Sequence, residues 1–184
     1  MRLLPLLAKP VALAALLYVG HASAFFYADD TTGSPTFNRP LADLSGLSAV
    51  GTAVAFDSFS FSVDTAGGYT FRSFARPLAD PAWDNFLILY TGTFNPASAL
   101  SNATIANDDF NNSIGRSGFS LALATGVAYT LVTTGFGNTD AGAYFNSIRG
   151  PGAITAPVPE PETYLMMLAG VAAIGFMIRR RSAV

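Results

Sequence analysis

From residue 25 to residue 158, apolar residues alternate with polar ones and never recur at the spacing of an amphipathic helix. In residues 57–63, Asp57 is followed by serines at 58, 60 and 62 that alternate with Phe59, Phe61 and Val63. Such a segment has one apolar face and one polar face, like a strand buried on one side. The pattern therefore predicts an all-β domain.

Two pairs of alternating segments, each joined by a short turn, predict β-hairpins. Residues 57–63 would pair with 69–74, and residues 119–123 with 127–131. The continuous apolar run at 86–90 predicts a strand buried on both faces. A last strand is expected around 143–148, which gives seven or eight strands at the spacing of a β-sandwich.

Charge narrows the range of partners. The region between residues 25 and 158 has five arginines, no lysine and ten aspartates, hence a net charge of −5. Nucleic-acid binding depends on basic residues that neutralise phosphates. We therefore expect no nucleic-acid partner.

Two residue types are missing from the predicted domain. The only histidine is His21, and the chain contains no cysteine. Serine-histidine and cysteine-histidine nucleophiles, haem ligation and the usual zinc sites all need one of these residues. Their absence argues against an enzyme of those classes and excludes disulfides.

The N-terminus has the three parts of a secretory signal peptide. Arg2 and Lys9 supply the positive charge, residues 11–19 are apolar, and Ala22-Ser23-Ala24 is a small-residue cleavage pattern. We expect signal peptidase to recognise Ala22 and Ala24 and to remove residues 1–24. The alternative, a membrane anchor, requires a longer apolar run. The domain would then span 25–152, followed by a linker at 153–158.

The C-terminus, residues 159–184, also has three parts. Pro159-Glu160-Pro161 is followed by an apolar run at 164–178 and then by Arg179-Arg180-Arg181. The run would form a helix of roughly 22 Å, short of the roughly 30 Å hydrocarbon core. Basic residues stay cytoplasmic, so the Pro-Glu-Pro motif would lie outside the inner membrane. A simple transmembrane anchor is the alternative.

This tail resembles the PEP-CTERM sorting signal over about the last 27 residues. The resemblance implies recognition by an exosortase of Gram-negative bacteria and cleavage at or near Pro159-Glu160-Pro161. It implies a transient inner-membrane intermediate, followed by release or attachment at the outer surface. Such proteins are associated with exopolysaccharide and biofilm, so exopolysaccharide is an expected partner.

The domain itself resembles the bacterial pre-peptidase C-terminal domain. That resemblance implies a jelly-roll-like antiparallel β-sandwich that acts as an accessory or adhesive module without catalytic residues. No protease domain is attached here, in contrast to many members of that family. The segments that carry the resemblance are 59–63, 68–71, 84–90, 107–109, 126–132 and 142–144.

One loop concentrates oxygen ligands. Asn107-Asp108-Asp109 is followed by two more asparagines at 111 and 112, and Asp84 would lie nearby in such a sandwich. Carboxylates and amide oxygens are calcium ligands, so Asp84, Asp108 and Asp109 are candidates for a calcium site. The alternative is a solvated turn, because Asn and Asp also favour turns.

Two further chemistries stay open. Trp83, Tyr90 or Tyr144 would stack on sugar rings if exposed, although aromatics in alternating strands usually lie in the core. Asp84 and Asp108 would serve as acid and base of a hydrolase if suitably separated. We favour a non-enzymatic, structural or adhesive surface protein without a cofactor, over a carbohydrate- or calcium-binding module and over a hydrolase.

Overall fold

The computed structural model describes residues 22–78 and 83–156, where the regular elements are β-strands and two single-turn 3₁₀ helices. The prediction of an all-β domain is confirmed. Within the described ranges, no helix is long and apolar enough to cross a membrane. The signal peptide up to residue 21 and the helix expected at 164–178 lie outside them. The strands are β1 (Ser23–Asp30), β2 (Thr36–Phe37), β3 (Val54–Val63), β4 (Gly67–Ala75), β5 (Asn85–Thr91), β6 (Ala103–Asn107), β7 (Arg116–Leu123), β8 (Tyr129–Gly135), β9 (Ala143–Gly150) and β10 (Ile154–Thr155); the 3₁₀ helices are Pro96–Ser98 and Phe110–Asn112.

The strands form two antiparallel sheets. The smaller sheet has the order β1-β9-β4-β7, and the larger has the order β10-β3-β8-β5-β6, with β2 also paired to β3. Phe71 and Ile148 of the smaller sheet and Leu89 and Leu131 of the larger sheet belong to one buried cluster. The two sheets therefore pack face to face as a sandwich.

The strands from β3 to β8 pair in a nested order, so that each pair encloses the next one along the sequence. The hairpin β5-β6 lies at the centre, β4 pairs with β7, and β3 pairs with β8. A long hairpin rolled into two layers, as in a jelly roll, gives this nesting. Pairing of β5 with β8 and of β4 with β9 then completes the two sheets.

Both hairpin predictions are wrong. The chain passes from β3 in the larger sheet to β4 in the smaller, and from β7 in the smaller to β8 in the larger. Alternation cannot separate a hairpin from such an arch, because both conformations keep one apolar face per strand. The arch directs Phe61 and Phe71 toward each other from opposite sheets, with ring centroids 6.0 Å apart.

A second core covers the outer face of the larger sheet. Phe86, Ile88 and Tyr90 point away from the sandwich interior and pack with Phe37 and Ala99, which lie in or beside the connecting loops. All residues from 86 to 90 are at most 1 % exposed. The prediction of a strand buried on both faces is therefore confirmed, and a loop layer rather than a third sheet buries its outer face.

Polar side chains replace apolar ones at one end of the interior. Asn85 Nδ2 donates a hydrogen bond to Ser73 Oγ of the opposite sheet at 2.8 Å. Asn146 Nδ2 donates to Tyr27 Oη and to Thr133 Oγ1, both at 2.8 Å. The bonds from Asn85 to Ser73 and from Asn146 to Thr133 connect the two sheets, whereas the bond to Tyr27 lies within the smaller sheet. Hydrogen bonds between buried polar side chains therefore link the sheets at this end.

The two ends of the sandwich differ. Ser23 pairs with Gly150, and Ile154 pairs with Val63, so the chain enters and leaves the sandwich at one end, here called the tail end. Ile154 and Thr155 fall in the predicted linker 153–158 but form β10, so the sandwich extends further than expected. Asn85 pairs with Gly135 at the opposite end, here called the acidic end.

Candidate functional site

Three carboxylates converge at the acidic end. Asp84 directly precedes β5, and Asp108 and Asp109 directly follow β6. Because β5 and β6 are antiparallel neighbours, with Leu87 opposite Asn107, the beginning of one strand lies beside the end of the other. One ligand oxygen from each carboxylate lies within 4.8 Å of the others. The sequence-predicted set is thus brought together, although its metal binding stays a prediction.

The carboxylates of this cluster are poorly satisfied. The Oδ1 atoms of Asp84, Asp108 and Asp109 are all shielded from solvent and have no hydrogen-bond partner. Burial, and then the negative charges of Asp84 and Asp109, raises the pKa of Asp108 to about 7. Burial also raises the pKa of Asp84. The cluster therefore concentrates negative charge that a proton or a cation would neutralise.

A buried arginine lies close to the cluster. Arg39 is 2 % exposed, and its Nε donates to the carbonyl of Phe136 at 2.9 Å. Its guanidinium carbon lies over the rings of Phe86 at 4.2 Å and Phe136 at 4.7 Å. The positive charge of Arg39 lowers the pKa of Asp108 but does not cancel the effect of burial.

A fourth carboxylate nearby is already used by the fold. Asp140 Oδ2 accepts a hydrogen bond from the backbone amide of Gly137 at 2.7 Å, and its Oδ1 accepts one from the amide of Asp84 at 3.3 Å. Sequence reasoning missed both Arg39 and Asp140. No local signal could have found them, because only long-range folding brings residues 39 and 140 to positions 84 and 108.

The oxygens of the cluster are of the type that a hard cation binds. Calcium takes six to eight oxygen ligands in flexible geometry, and each of the three carboxylates has an unpartnered oxygen. One oxygen of Asp84 and one of Asp108 lie within 4.8 Å of each other, which is close enough for both to bind the same cation.

The aromatic residues suggested as a sugar platform are buried. Trp83 is 4 % exposed, Tyr90 0 % and Tyr144 2 %. Trp83 Nε1 donates to the carbonyl of Ala143 at 3.2 Å, and Tyr90 Oη donates to the carbonyl of Ala99 at 2.9 Å. The prediction of sugar stacking at these three residues is wrong, because each ring packs in the core and each of these polar atoms has an internal partner.

The predicted signal peptidase site lies at the tail end. Ala22 is exposed and precedes β1, whereas Ser23 and Ala24 pair with Gly150 and Arg149 of β9. The sorting residues Pro159, Glu160 and Pro161, and the basic residues Arg179, Arg180 and Arg181, lie outside the described residues. The last described residue, Ala156, immediately precedes that tail.

The C-terminal tail matches a known protein family. Residues 157–181 match the family described as the PEP-CTERM protein-sorting motif. The tail is a sorting motif. A search of curated proteins finds no match for this chain. The PEP-CTERM motif supports an exported protein that transits the membrane and is sorted to the cell surface by an exosortase.

Proposed function

We propose that this chain is a non-catalytic surface or extracellular-matrix protein with a structural or adhesive role in association with exopolysaccharide. The PEP-CTERM motif at 157–181 carries the proposal, because it indicates export and exosortase processing. Signal peptidase would remove residues 1–24. The remaining chain would pass through an inner-membrane intermediate before release or attachment at the outer surface of a Gram-negative cell.

The arrangement of the two ends supports this route. Residue 22 and residue 156 both leave the sandwich at the tail end. A domain tethered there can fold outside the membrane while its tail is still inserted, with Arg179-Arg180-Arg181 held on the cytoplasmic side. The prolines at 157, 159 and 161 keep the approach extended, so a membrane protease could reach the motif.

The residue types of the mature domain support a non-catalytic role. Between residues 25 and 158 there is neither a histidine nor a cysteine, so the domain cannot form the serine-histidine or cysteine-histidine nucleophile of those hydrolase classes.

The test replaces Pro159-Glu160-Pro161 by three alanines in the native host. Intact mass and cell fractionation are then compared with wild type. We expect the wild-type protein to begin at Phe25, end near Pro161 and lie outside the inner membrane. The variant should begin at Phe25 but keep its tail and stay in the inner membrane. The shared N-terminus is the internal control for export.

Two results would contradict the proposal. A wild-type protein that retains residues up to Val184 in the inner membrane would show that the tail is a permanent anchor. A variant that is cleaved and released like wild type would show that the Pro-Glu-Pro motif is not the recognised element. Either result leaves the fold intact, since the strands end at Thr155.

A second candidate function is calcium binding at the acidic end by Asp84, Asp108 and Asp109. The three shielded, unpartnered Oδ1 atoms favour it. A cation that binds only the folded state raises the melting temperature in proportion to the logarithm of its concentration.

The test for calcium uses Asp108→Asn, with Asp43→Asn as its matched control. Asp43 is exposed and accepts hydrogen bonds only within its own turn, from Ser45. We expect millimolar calcium, the range of extracellular calcium modules, to raise the melting temperature of wild type and Asp43→Asn but not of Asp108→Asn. Equal shifts in all three, or no shift in wild type, would contradict a calcium site here.

A further inference from the structure

The outer face of the smaller sheet carries arginine and phenylalanine side chains. Its inward positions, such as Phe25, Phe71 and Ile148, belong to or pack against the core between the sheets. Three successive rows of outward positions on β1, β9, β4 and β7 form a grid that we call the arginine face, and Asp30 with Ala143 follows them toward the acidic end. Read across the four strands, the rows are Ala28, Phe145, Phe74, Arg116; Phe26, Ser147, Arg72, Gly118; and Ala24, Arg149, Thr70, Ser120.

Each row contains one arginine, and the three lie on a diagonal. Arg116 on β7 is opposite Phe74, Arg72 lies two residues from Phe74 on β4, and Arg149 lies two residues beyond the partner of Arg72 on β9. Diagonal neighbours in antiparallel sheets are about 7–8 Å apart. The backbone positions of the three arginines therefore follow a line about 15 Å long, and the guanidinium of Arg72 leans toward Phe110 while that of Arg149 leans toward Phe26.

Phenylalanines border this line on one side. The rings of Phe26 and Phe145 stack with centroids 5.7 Å apart and an interplanar angle of 16°. Phe74 continues the strip at 6.4 Å from Phe145. Phe26 is 47 % exposed, and the guanidinium of Arg149 lies 5.6 Å from its ring. The strip offers flat apolar surface beside the positive charges.

The central arginine is held in position before any ligand arrives. Arg72 Nη1 donates to the carbonyls of Phe71 at 2.7 Å and Phe119 at 3.2 Å. Its guanidinium carbon lies 3.7 Å from the ring centroid of Phe110. Gly118 makes room for it, since a Cβ there would come within 2.7 Å of Arg72 Cδ. A fixed guanidinium loses little side-chain entropy on binding.

The charge of this face differs from that of the rest of the domain. The region from residue 25 to 158 has ten aspartates and five arginines, yet the three rows of the arginine face contain three arginines, and the nearest acidic residue on the same side of the sheet is Asp30, in the next row beyond Ala28. The larger sheet and the loops carry most of the negative charge. The arginine face therefore complements an anion with repeated charges.

We propose that the arginine face binds a linear acidic polysaccharide along the diagonal of Arg116, Arg72 and Arg149. Carboxylates of successive sugars pair with the arginines, and the apolar faces of the sugar rings stack on Phe74, Phe145 and Phe26. The choice of a polysaccharide over another polyanion rests on the proposed surface function. The negative charge of the remaining domain disfavours a densely charged strand such as a nucleic acid.

The test measures binding of the full chain in nonionic detergent to a polygalacturonate oligosaccharide. The methyl ester of the same oligosaccharide is the uncharged control. A wild-type chain should bind the acid form and not the ester. Arg149→Gln and Arg116→Gln should each weaken binding about threefold, the range of an exposed ion pair. The double variant should weaken it about tenfold.

A matched control has the same net charge as each single arginine variant but leaves the arginine face unchanged. Ser58 is exposed on β3 of the other sheet, and Ser58→Glu lowers the net charge by one, as Arg149→Gln does. We expect Ser58→Glu to bind within the error of wild type. Removing one arginine contact should also reduce the slope of log K against log salt by about one.

Each contrary result would overturn the proposal. Equal binding of acid and ester would remove the role of charge, and an unchanged affinity of Arg149→Gln and Arg116→Gln would place the site elsewhere. Equal affinity for a single-stranded DNA of the same charge, lost in the same variants, would make the face a nucleic-acid site. None of these results depends on exosortase processing, so the proposed sorting would stand.

Discussion

Replacing Asp108 by asparagine gives the sharpest test of the electrostatics at the acidic end. In the folded chain the pKa of Asp108 is raised to about 7, chiefly by burial, against about 3.9 in an unfolded chain. Between these values the folded state binds the proton and the unfolded state does not. Without a cation, stability is therefore highest at low pH and is lost as the pH rises through 7.

The size of the effect follows from the pKa difference. A difference of about three pH units corresponds to about 4 kcal/mol at 1.36 kcal/mol each. The side chain of Asp108 is half-buried, and water screens it, so we expect about 2 kcal/mol. For a domain of this size, that loss lowers the melting temperature by about 5–10 °C between pH 4 and pH 8.

The assay is thermal unfolding in a chelator, followed by the fluorescence of the single tryptophan. Trp83 is 4 % exposed and adjoins Asp84, so its emission reports unfolding of this end. Asp108→Asn should show a smaller pH dependence than wild type over this range, because only the raised pKa of Asp84 remains in the cluster, and should melt above wild type at pH 8. The reasoning is refuted if wild type melts at the same or a higher temperature at pH 8, or if Asp108→Asn retains the wild-type slope.

Three substitutions test the packing, each measured by denaturant unfolding. Phe71→Ala empties a 0 % exposed position between the sheets and should cost about 3–5 kcal/mol. Gly150→Ala would place a Cβ 2.1 Å from the ring of Tyr69, whereas Gly68→Ala meets nothing within 4 Å; only the first should destabilise strongly. Asn146→Ala leaves the hydroxyls of Tyr27 and Thr133 without that partner and should cost about 1–3 kcal/mol. If Phe71→Ala, Gly150→Ala or Asn146→Ala is as stable as wild type, the packing or hydrogen bond on which that prediction rests is contradicted.

The class of the fold could be predicted from sequence because alternation fixes which residues face inward. Phe61, Val63, Tyr69 and Phe71 are all buried as their pattern predicts. The partner of each strand could not be predicted, because a hairpin and an arch bury the same residues. The loop layer over β5 was also hidden, since Phe37 lies far from that strand in sequence and the segment around Ala99 has no regular apolar pattern.

The same limit applies to the sites. Asp84, Asp108 and Asp109 could be proposed because two are adjacent and the third begins a recognisable strand. Their raised pKa values could not, because these depend on burial and on the mutual proximity of the carboxylates. The diagonal of Arg116, Arg72 and Arg149 was equally invisible, since it exists only in the register of three strands that are distant in sequence.

The position of the two candidate surfaces relative to the tail bears on how the protein could function during and after sorting. β3 has ten residues, so the sandwich is about 33 Å long. Asp84, Asp108 and Asp109 lie at the end opposite the tail, and the arginine face runs along the side. A chain held in the membrane by residues 164–178 would keep both surfaces in the aqueous phase. Exosortase cleavage would then change where the domain resides without changing what those surfaces can contact, so binding by the full chain in detergent should match binding by the processed protein.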